Sequence, residues 1–187
     1  LANTTGANNT AVGQGALDAN TTTSNNVAIG QNALGANTAA QNTAVGTAAL
    51  TANTTGTDNV AVGYGALTTQ TTGGYNTAVG RNSMSASTTG TQNVAVGGYS
   101  LDANTTGTSN VAVGYNAATA LTSGVQNTLI GGGESLTTGS YNVAIGKGAL
   151  DSEDAHGYNV AIGVNALNAQ DAGATAYSVA VGFSAGG

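Results

Sequence analysis

Few residues of this chain could carry chemistry. His156 is the single histidine, and Asp151, Glu153 and Asp154 lie just before it in the segment DSEDAHGYN, residues 151–159. Carboxylates this close together could supply hard oxygen ligands to a cation. We favour the simpler interpretation of a charged, solvated turn, because the chain lacks the GGxGxD pattern of calcium-binding β-rolls. We therefore expect no metal, no cofactor and no catalytic residue.

Two other motifs have both a chemical and a simpler interpretation. The segment GGGES, residues 131–135, is rich in glycine, but neither a lysine nor a helical pattern follows it, which argues against a phosphate loop. Sequons of the N-x-S/T type could accept N-linked glycans, although such matches arise by chance in a chain rich in Asn and Thr. The candidate glycosylation sites are Asn3, Asn8, Asn20, Asn53 and Asn104.

The composition argues against several classes of protein. Two basic residues, Arg81 and Lys147, stand against eight acidic ones, so there is no electrostatic footprint for nucleic acid or for an anionic membrane surface. The chain contains no apolar stretch long enough to span a membrane, and we expect no membrane insertion. Scarcity of Lys and Arg leaves few trypsin sites, which suits a protein exposed on a cell surface, on a virion or elsewhere outside the cell.

One short repeat must supply the elements that position any site. A phrase such as NVAVG recurs eleven times, at intervals of 17, 16, 17, 17, 17, 17, 17, 15, 17 and 19 residues, and always has glycine at its fifth position. Repeats of this length indicate a solenoid or an array, so residues 1–187 are interpreted as one repeat domain. The phrases open at Asn9, Asn26, Asn42, Asn59, Asn76, Asn93, Asn110, Asn127, Asn142, Asn159 and Ser178.

Each phrase has the alternation of a short strand. Its second residue is Val or Thr, its third is Ala in ten of eleven copies, and its fourth is Val or Ile. Side chains alternate between the two faces of a strand, so the second and fourth residues share a face and the alanine lies on the other. Glycine then ends the strand, and an apolar residue and a polar segment follow. We predict strand, turn, short apolar strand and polar turn in every repeat.

These features predict an all-β protein, a parallel β-solenoid of eleven coils with about 17 residues per coil. Repeated glycine and β-branched residues oppose a helical repeat. We expect the phrase asparagines to hydrogen-bond from coil to coil. Two apolar columns would line the interior. The first consists of Val12, Ile29, Val45, Val62, Val79, Val96, Val113, Ile130, Ile145, Ile162 and Val181. The second consists of Leu17, Leu34, Leu50, Leu67, Met84, Leu101, Ala118, Leu136, Leu150 and Leu167.

The third residue of each phrase would then form an alanine strip on the outside. Because about three apolar side chains per coil do not offset the entropy of ordering a whole coil, we expect association along this strip, with a homotrimer preferred. The predicted assembly strip consists of Ala28, Ala44, Ala61, Ala78, Ala95, Ala112, Ala144 and Ala161. The chain opens with the second half of a repeat and closes with the first half. Head-to-tail stacking of copies would explain these ends, and so would a window cut from a longer repetitive chain.

The phrase NVAIG, at 26–30, 142–146 and 159–163, resembles the head repeat of YadA-like trimeric autotransporter adhesins. The segments between phrases are similar to repeats in phage tail-fibre and other surface-fibre proteins. The resemblance covers essentially the whole chain, and it implies a left-handed parallel β-roll with three chains packed around an axis. Two features depart from it: the coil is longer than the family's, and the chain carries neither a coiled-coil stalk nor a membrane anchor.

The favoured function is a non-enzymatic structural or adhesive protein, forming the shaft or head of a bacterial or viral extracellular fibre. A surface-binding module for glycan or collagen-like ligands is the alternative, since tyrosines such as Tyr64, Tyr75 and Tyr115 could bind a sugar or a host surface. Ice binding by threonine columns that include Thr55 and Thr72 is less favoured, because adjacent residues of a strand point to opposite faces.

Overall fold

The computed structural model describes residues 3–151, 155–168 and 177–186. Within these ranges, strands of three residues each form one parallel sheet in chain order, and there is no helix. The chain is therefore an all-β parallel solenoid, as the repeat predicts. The strands are β1 (Thr10–Val12), β2 (Val27–Ile29), β3 (Thr43–Val45), β4 (Val60–Val62), β5 (Thr77–Val79), β6 (Val94–Val96), β7 (Val111–Val113), β8 (Thr128–Ile130), β9 (Val143–Ile145), β10 (Val160–Ile162) and β11 (Val179–Val181).

Consecutive coils stack in register, so that each residue meets its own counterpart one coil later. Ala61 of β4 pairs with Ala78 of β5, 17 residues further along the chain. Hydrogen bonds between coils continue beyond the strands: the Leu50 N–H donates to the Ala66 carbonyl at 3.0 Å, and the Thr54 N–H to the Thr71 carbonyl at 2.9 Å. The backbone is thus joined to the next coil at three places around its circumference.

The third residue of the phrase faces the interior, and the fourth faces outwards. The predicted assembly strip, Ala28, Ala44, Ala61, Ala78, Ala95, Ala112, Ala144 and Ala161, is 0% exposed within a single chain. By contrast, Val12 is 57% exposed and Val96 is 38% exposed. The predicted alternation is correct, but the predicted direction was wrong. The alanines belong to the core and cannot contact another chain.

Leucines from the opposite wall fill the interior, which explains why the strands contribute only methyl groups. The predicted leucine column is buried, as Leu50, Leu67 and Leu101 show at 0% exposure. These leucines lie in turns and not in the second strand that the sequence predicted. Their φ angles are near +50°, in the left-handed region. That conformation costs an L-residue about 1–2 kcal/mol, and burying a leucine offsets it with about 1.5–3 kcal/mol.

Coil 8 exchanges the large and small side chains across the core. Its strand carries Leu129 in place of alanine, and Leu129 is fully buried. The Gly133 N–H donates to the Ala149 carbonyl at 3.0 Å, the bond that the leucine column makes in other coils, so Gly133 occupies the leucine position. A Cβ on Gly133 would lie 2.9 Å from Leu129 Cδ2. The core therefore accommodates at most one large side chain from these two positions in a coil, and coil 7, with Ala112 and Ala118, has none.

Leu136 does not belong to the leucine column, contrary to the sequence prediction. Its N–H donates to the Gly133 carbonyl at 3.3 Å, and the Asn53 N–H makes the equivalent bond to the Leu50 carbonyl at 3.3 Å. Leu136 thus continues a second interior column, the one that contains Asn53. The 15-residue interval removes two residues of the turn before this point, which shifts the register of the sequence pattern.

Glycine closes every phrase, and at most of these glycines the next coil lies directly against the backbone. Gly63 has a φ of +134°, and a Cβ built on it would lie 2.5 Å from the Gly80 carbonyl oxygen. Any other residue would need both a strained backbone and a displaced coil. The predicted role of this glycine as the end of the strand is confirmed.

The phrase asparagines form the predicted ladder from coil to coil. The Asn93 backbone N–H donates to Asn76 Oδ1 at 3.0 Å, and the Asn110 N–H donates to Asn93 Oδ1 at 2.9 Å. Asn93 Nδ2 also donates to the Gly107 carbonyl at 2.8 Å. These side chains are fully buried, so their amides satisfy backbone groups that water cannot reach.

Replacing Asn93 with leucine should destabilise the fold. The change leaves the Asn110 N–H and the Gly107 carbonyl buried without partners, and each such group costs about 1–3 kcal/mol. Urea unfolding followed by circular dichroism measures the loss. Thr89→Ala, at an exposed position of the turn just before Asn93, is the control and should change the free energy of unfolding by less than about 0.5 kcal/mol. Equal stability of the two variants would contradict the structural role of the asparagine ladder.

The exchange in coil 8 can be reversed by a pair of substitutions. Leu129→Ala alone should cost about 2–5 kcal/mol, since it leaves a cavity. Gly133→Leu alone should also destabilise, because the new side chain meets Leu129. The double variant restores the pattern of the other coils, and its loss should fall below the sum of the single losses by about 1–3 kcal/mol. Additive losses would show that the two positions do not share one core space.

Candidate interaction surfaces

The outer sheet face is formed by the second and fourth residues of every phrase. All of its side chains are Val, Ile or Thr, and two come from each of the eleven strands that the structure describes. Ile29 is 40% exposed and Val60 is 37% exposed. At a strand spacing of about 4.8 Å, the face is about 50 Å long. A continuous, uncharged apolar surface of this kind is typical of an interaction site.

Pairs of adjacent threonines in the polar turns form a second surface. The first threonine of a pair hydrogen-bonds to the next coil, and the second is exposed. Thr54 Oγ1 donates to the Thr71 carbonyl at 3.0 Å, and Thr71 Oγ1 donates to the Thr88 carbonyl at 3.0 Å. The hydroxyls of this first column therefore join neighbouring coils. The following threonines, including Thr55 and Thr72, form a single exposed column.

Three of the tyrosines that precede a phrase stack on one another. The rings of Tyr141 and Tyr158 are 4.8 Å apart between centroids and nearly parallel, and those of Tyr158 and Tyr177 are 5.4 Å apart and tilted by 33°. Each ring face is thus turned towards its neighbour. This ladder covers the edges of its coils and does not leave a free ring face between its members.

A second aromatic ladder contains a cation. The Arg81 guanidinium carbon lies 5.7 Å from the centroid of Tyr64 and 5.9 Å from that of Tyr99. Tyr99 in turn meets Tyr115 edge to face, with 6.0 Å between centroids. Tyr64 and Tyr115 were predicted from the sequence as possible binding residues, whereas Arg81 and Tyr99 were not. The available signal was that Tyr64 and Arg81 both follow the phrase-closing glycine, in successive coils.

A groove of about 500 Å³ lies beside Tyr64. Gly65, Thr68, Asn82 and Ser85 contribute to its lining. A similar groove of about 450 Å³ lies at the equivalent turns of the first coils. It is lined by Gly15, Asp18, Ala19, Asn32, Gly35, Ala36 and Thr51. The wall of the second groove contains a carboxylate, Asp18, and no aromatic ring, whereas Tyr64 lines the first groove and Arg81 lies next in the chain to Asn82 of its wall.

Burial divides the candidate glycosylation sites into two groups. Asn20 is 1% exposed, and Asn53 and Asn104 are 0% exposed. A glycan on these amides has no room in the folded chain, so the prediction was wrong for these three positions. Asn3 and Asn8 are exposed and stay candidates. The sequon pattern could not separate the groups, because the buried asparagines belong to the interior column of the repeat.

The acidic segment before His156 lies partly outside the described residues, which exclude Glu153 and Asp154. Asp151 is half-buried, and its Oδ1 accepts a hydrogen bond from Ser135 Oγ at 3.4 Å. In the ranges that the structure covers, no group of three His, Cys, Asp or Glu side chains is placed to hold a metal ion.

Fold and surfaces together define the chain as a β-solenoid repeat protein. A scan against protein-family models found no match, and searches of curated proteins and of solved structures found none. The resemblance to YadA-like and fibre repeats therefore stays a hypothesis that rests on the repeated phrase. Of the residues described, none lies in a helix that could cross a membrane.

One surface carboxylate should make stability depend on pH. Burial raises the pKa of Asp102 above its ordinary value, and hydrogen bonds from its own N–H and that of Ala103 lower the pKa by less. A raised pKa in the folded state means that stability is lost as pH rises through that value. Asp102→Asn should therefore raise the melting temperature at neutral pH, and the gain should shrink as pH falls through the raised pKa and vanish below the ordinary value of about 4.

Thermal unfolding across this pH range measures the effect of Asp102→Asn. Asp18→Asn, at the exposed equivalent position of the first coil, controls for the loss of one negative charge. A gain from Asp102→Asn that stayed constant from neutral to acidic pH would disprove the assignment to carboxylate burial.

Proposed function

We propose that the chain is a structural segment of an extracellular fibre, bacterial or viral, which assembles as a homotrimer through its outer sheet face and serves adhesion. It acts without catalysis. The observation that carries this proposal is the outer sheet face itself, a continuous apolar surface along all the strands. Resemblance of the phrase to the heads of trimeric adhesins supports the number of copies.

The physical basis for assembly lies in side chains that the single chain leaves in water. Ile29 is 40% exposed, Val96 is 38% exposed and Ile130 is 39% exposed. Completely burying a fully exposed Val or Ile is worth about 1.5–3 kcal/mol, and the exposed part of these side chains retains a share of that gain, which adds up along the column. Registered stacking of the coils places the equivalent side chains of all the described strands on this one face.

Two columns on one face suit three copies around an axis. In this arrangement the column of second residues contacts one neighbour and the column of fourth residues contacts the other. Each copy then joins its neighbours through two different columns, a heterologous contact that closes into a ring of three. Head-to-tail stacking of copies into a filament stays a further prediction of the repeat.

Substitutions at adjacent residues of β6 test this assembly. The wild-type chain should have three times the monomer mass in light scattering coupled to size exclusion. Val96→Asp places a charge on the outer sheet face and should yield a folded monomer. Ala95→Asp places a charge in the core of the single chain, where Ala95 is 0% exposed, and should abolish folding.

Circular dichroism separates the two variants, because only Ala95→Asp should lose the β signal. A trimer that survived Val96→Asp, also in combination with Val62→Asp and Ile130→Asp in the same column, would rule out the outer sheet face as the contact surface. A wild-type monomer at high concentration would overturn the proposal of self-assembly altogether.

A surface-binding module for glycan ligands is the second candidate function. The groove beside Tyr64 favours it, because an aromatic wall and neutral polar groups meet there. Collagen-like ligands have no comparable support in the described surfaces.

A further inference from the structure

We propose that the Tyr64–Arg81–Tyr99 ladder and its adjoining groove bind an acidic saccharide, a pyranose that carries a carboxylate. This inference rests on the adhesive part of the proposed function and names the ligand class for it. It places the ligand on the turns of the coils and not on the outer sheet face.

The cation in this ladder is available to a ligand. Arg81 is exposed, and in the part of the chain that the structure describes its guanidinium makes neither an ion pair nor a hydrogen bond. The rings of Tyr64 and Tyr99 attract the guanidinium by cation–π contacts. These contacts leave the guanidinium N–H groups free to donate hydrogen bonds to a ligand. A planar guanidinium of this kind matches the two oxygens of a carboxylate.

The groove supplies the contacts that a sugar ring requires. Tyr64 is 57% exposed and contributes to the groove wall, so its ring can pack against the C–H groups of a pyranose. Thr68, Asn82 and Ser85 also line the groove, and among the described residues their side chains make no hydrogen bond within the chain. They are free to exchange hydrogen bonds with sugar hydroxyls.

Comparison of the two grooves isolates what the ladder adds. Both grooves contain a glycine followed one coil later by an asparagine, Gly65 and Asn82 in one and Gly15 and Asn32 in the other. The position next to the glycine is Tyr64 in the first groove and Gln14 in the second. Asp18 lines the second groove, which makes it unsuited to an anion. Charge and aromatic surface thus select the Tyr64 groove for an acidic sugar.

Saturation-transfer NMR on the intact chain tests the inference, with sialyllactose as the probe and lactose as its neutral counterpart. We expect transfer to the carboxylate-bearing ring and at least about tenfold weaker binding of lactose, which lacks both the carboxylate and the ring that bears it. Arg81→Gln should remove this preference. Tyr64→Ala should weaken binding, and Tyr64→Phe should retain it because the ring is kept.

Lys147→Gln is the matched control for Arg81→Gln. Lys147 also follows a phrase-closing glycine, and it is the only lysine of the chain. The control should bind sialyllactose as the wild type does. Thermal unfolding of each variant checks that the exposed substitutions leave the coil intact.

Three results would overturn the inference: equal binding of lactose and sialyllactose, unchanged binding by Arg81→Gln, or full competition by acetate at the concentration of the sugar. The last result would show that the site holds an anion without contacting the pyranose. Assembly is tested separately, without saccharide, by the oligomeric state of Val96→Asp. If saccharide binding fails, the test of the fibre proposal still stands. If assembly fails, the binding experiment can still be carried out on the monomer.

Discussion

Buried asparagine amides hold the coils in register, and the rest of the structure depends on that register. The Oδ1 atom of each phrase asparagine accepts the backbone N–H of its counterpart in the next coil, as in the pair Asn76 and Asn93. The amide nitrogen satisfies a carbonyl of the neighbouring turn. A shift by one residue would break both bonds and reverse the faces of the strand. Departures from the 17-residue interval are therefore confined to the turns, where coil 8 loses two residues without changing its strand pairing.

Once the register is fixed, the size of the interior decides which side chains it accepts. Strand and turn face each other across a narrow space, and a leucine from the turn leaves room for no more than a methyl group from the strand. Leu129 and Gly133 obey the same rule with the roles reversed. The leucines adopt a left-handed backbone conformation to reach the core, which shows that their burial outweighs the local strain.

Much of this fold could be predicted from the sequence, because period, strand alternation, glycine and asparagine are each visible in the repeated phrase. The sequence could not show which face of the strand points to the core. Alternation separates Ala95 from Val94 and Val96 but does not say which face is inside, and hydrophobicity favours valine for the core. Side-chain size decides which face is inside, because two valines facing a leucine would not fit in the core. Leu129 is the one exception in the alanine column. Together with the glycines that follow it in coil 8, it is the sequence signal that the large and small core side chains are exchanged in this coil. Arg81 and Tyr99 were missed because their contacts join positions that are adjacent only after stacking.

Uniform and variable positions of the repeat have different consequences for function. Asparagine, alanine, leucine and glycine are nearly invariant within this chain because each is confined by its counterpart in the next coil. The outer sheet face varies only among Val, Ile and Thr, which gives a surface that is alike along its length and suits contact with an identical chain. Positions after the phrase-closing glycine are free of both constraints, and they range from Gln14 and Tyr64 to Arg81 and Lys147. Recognition of a specific ligand requires local differences, which is why we propose ligand binding at these variable turns and assembly on the uniform sheet face.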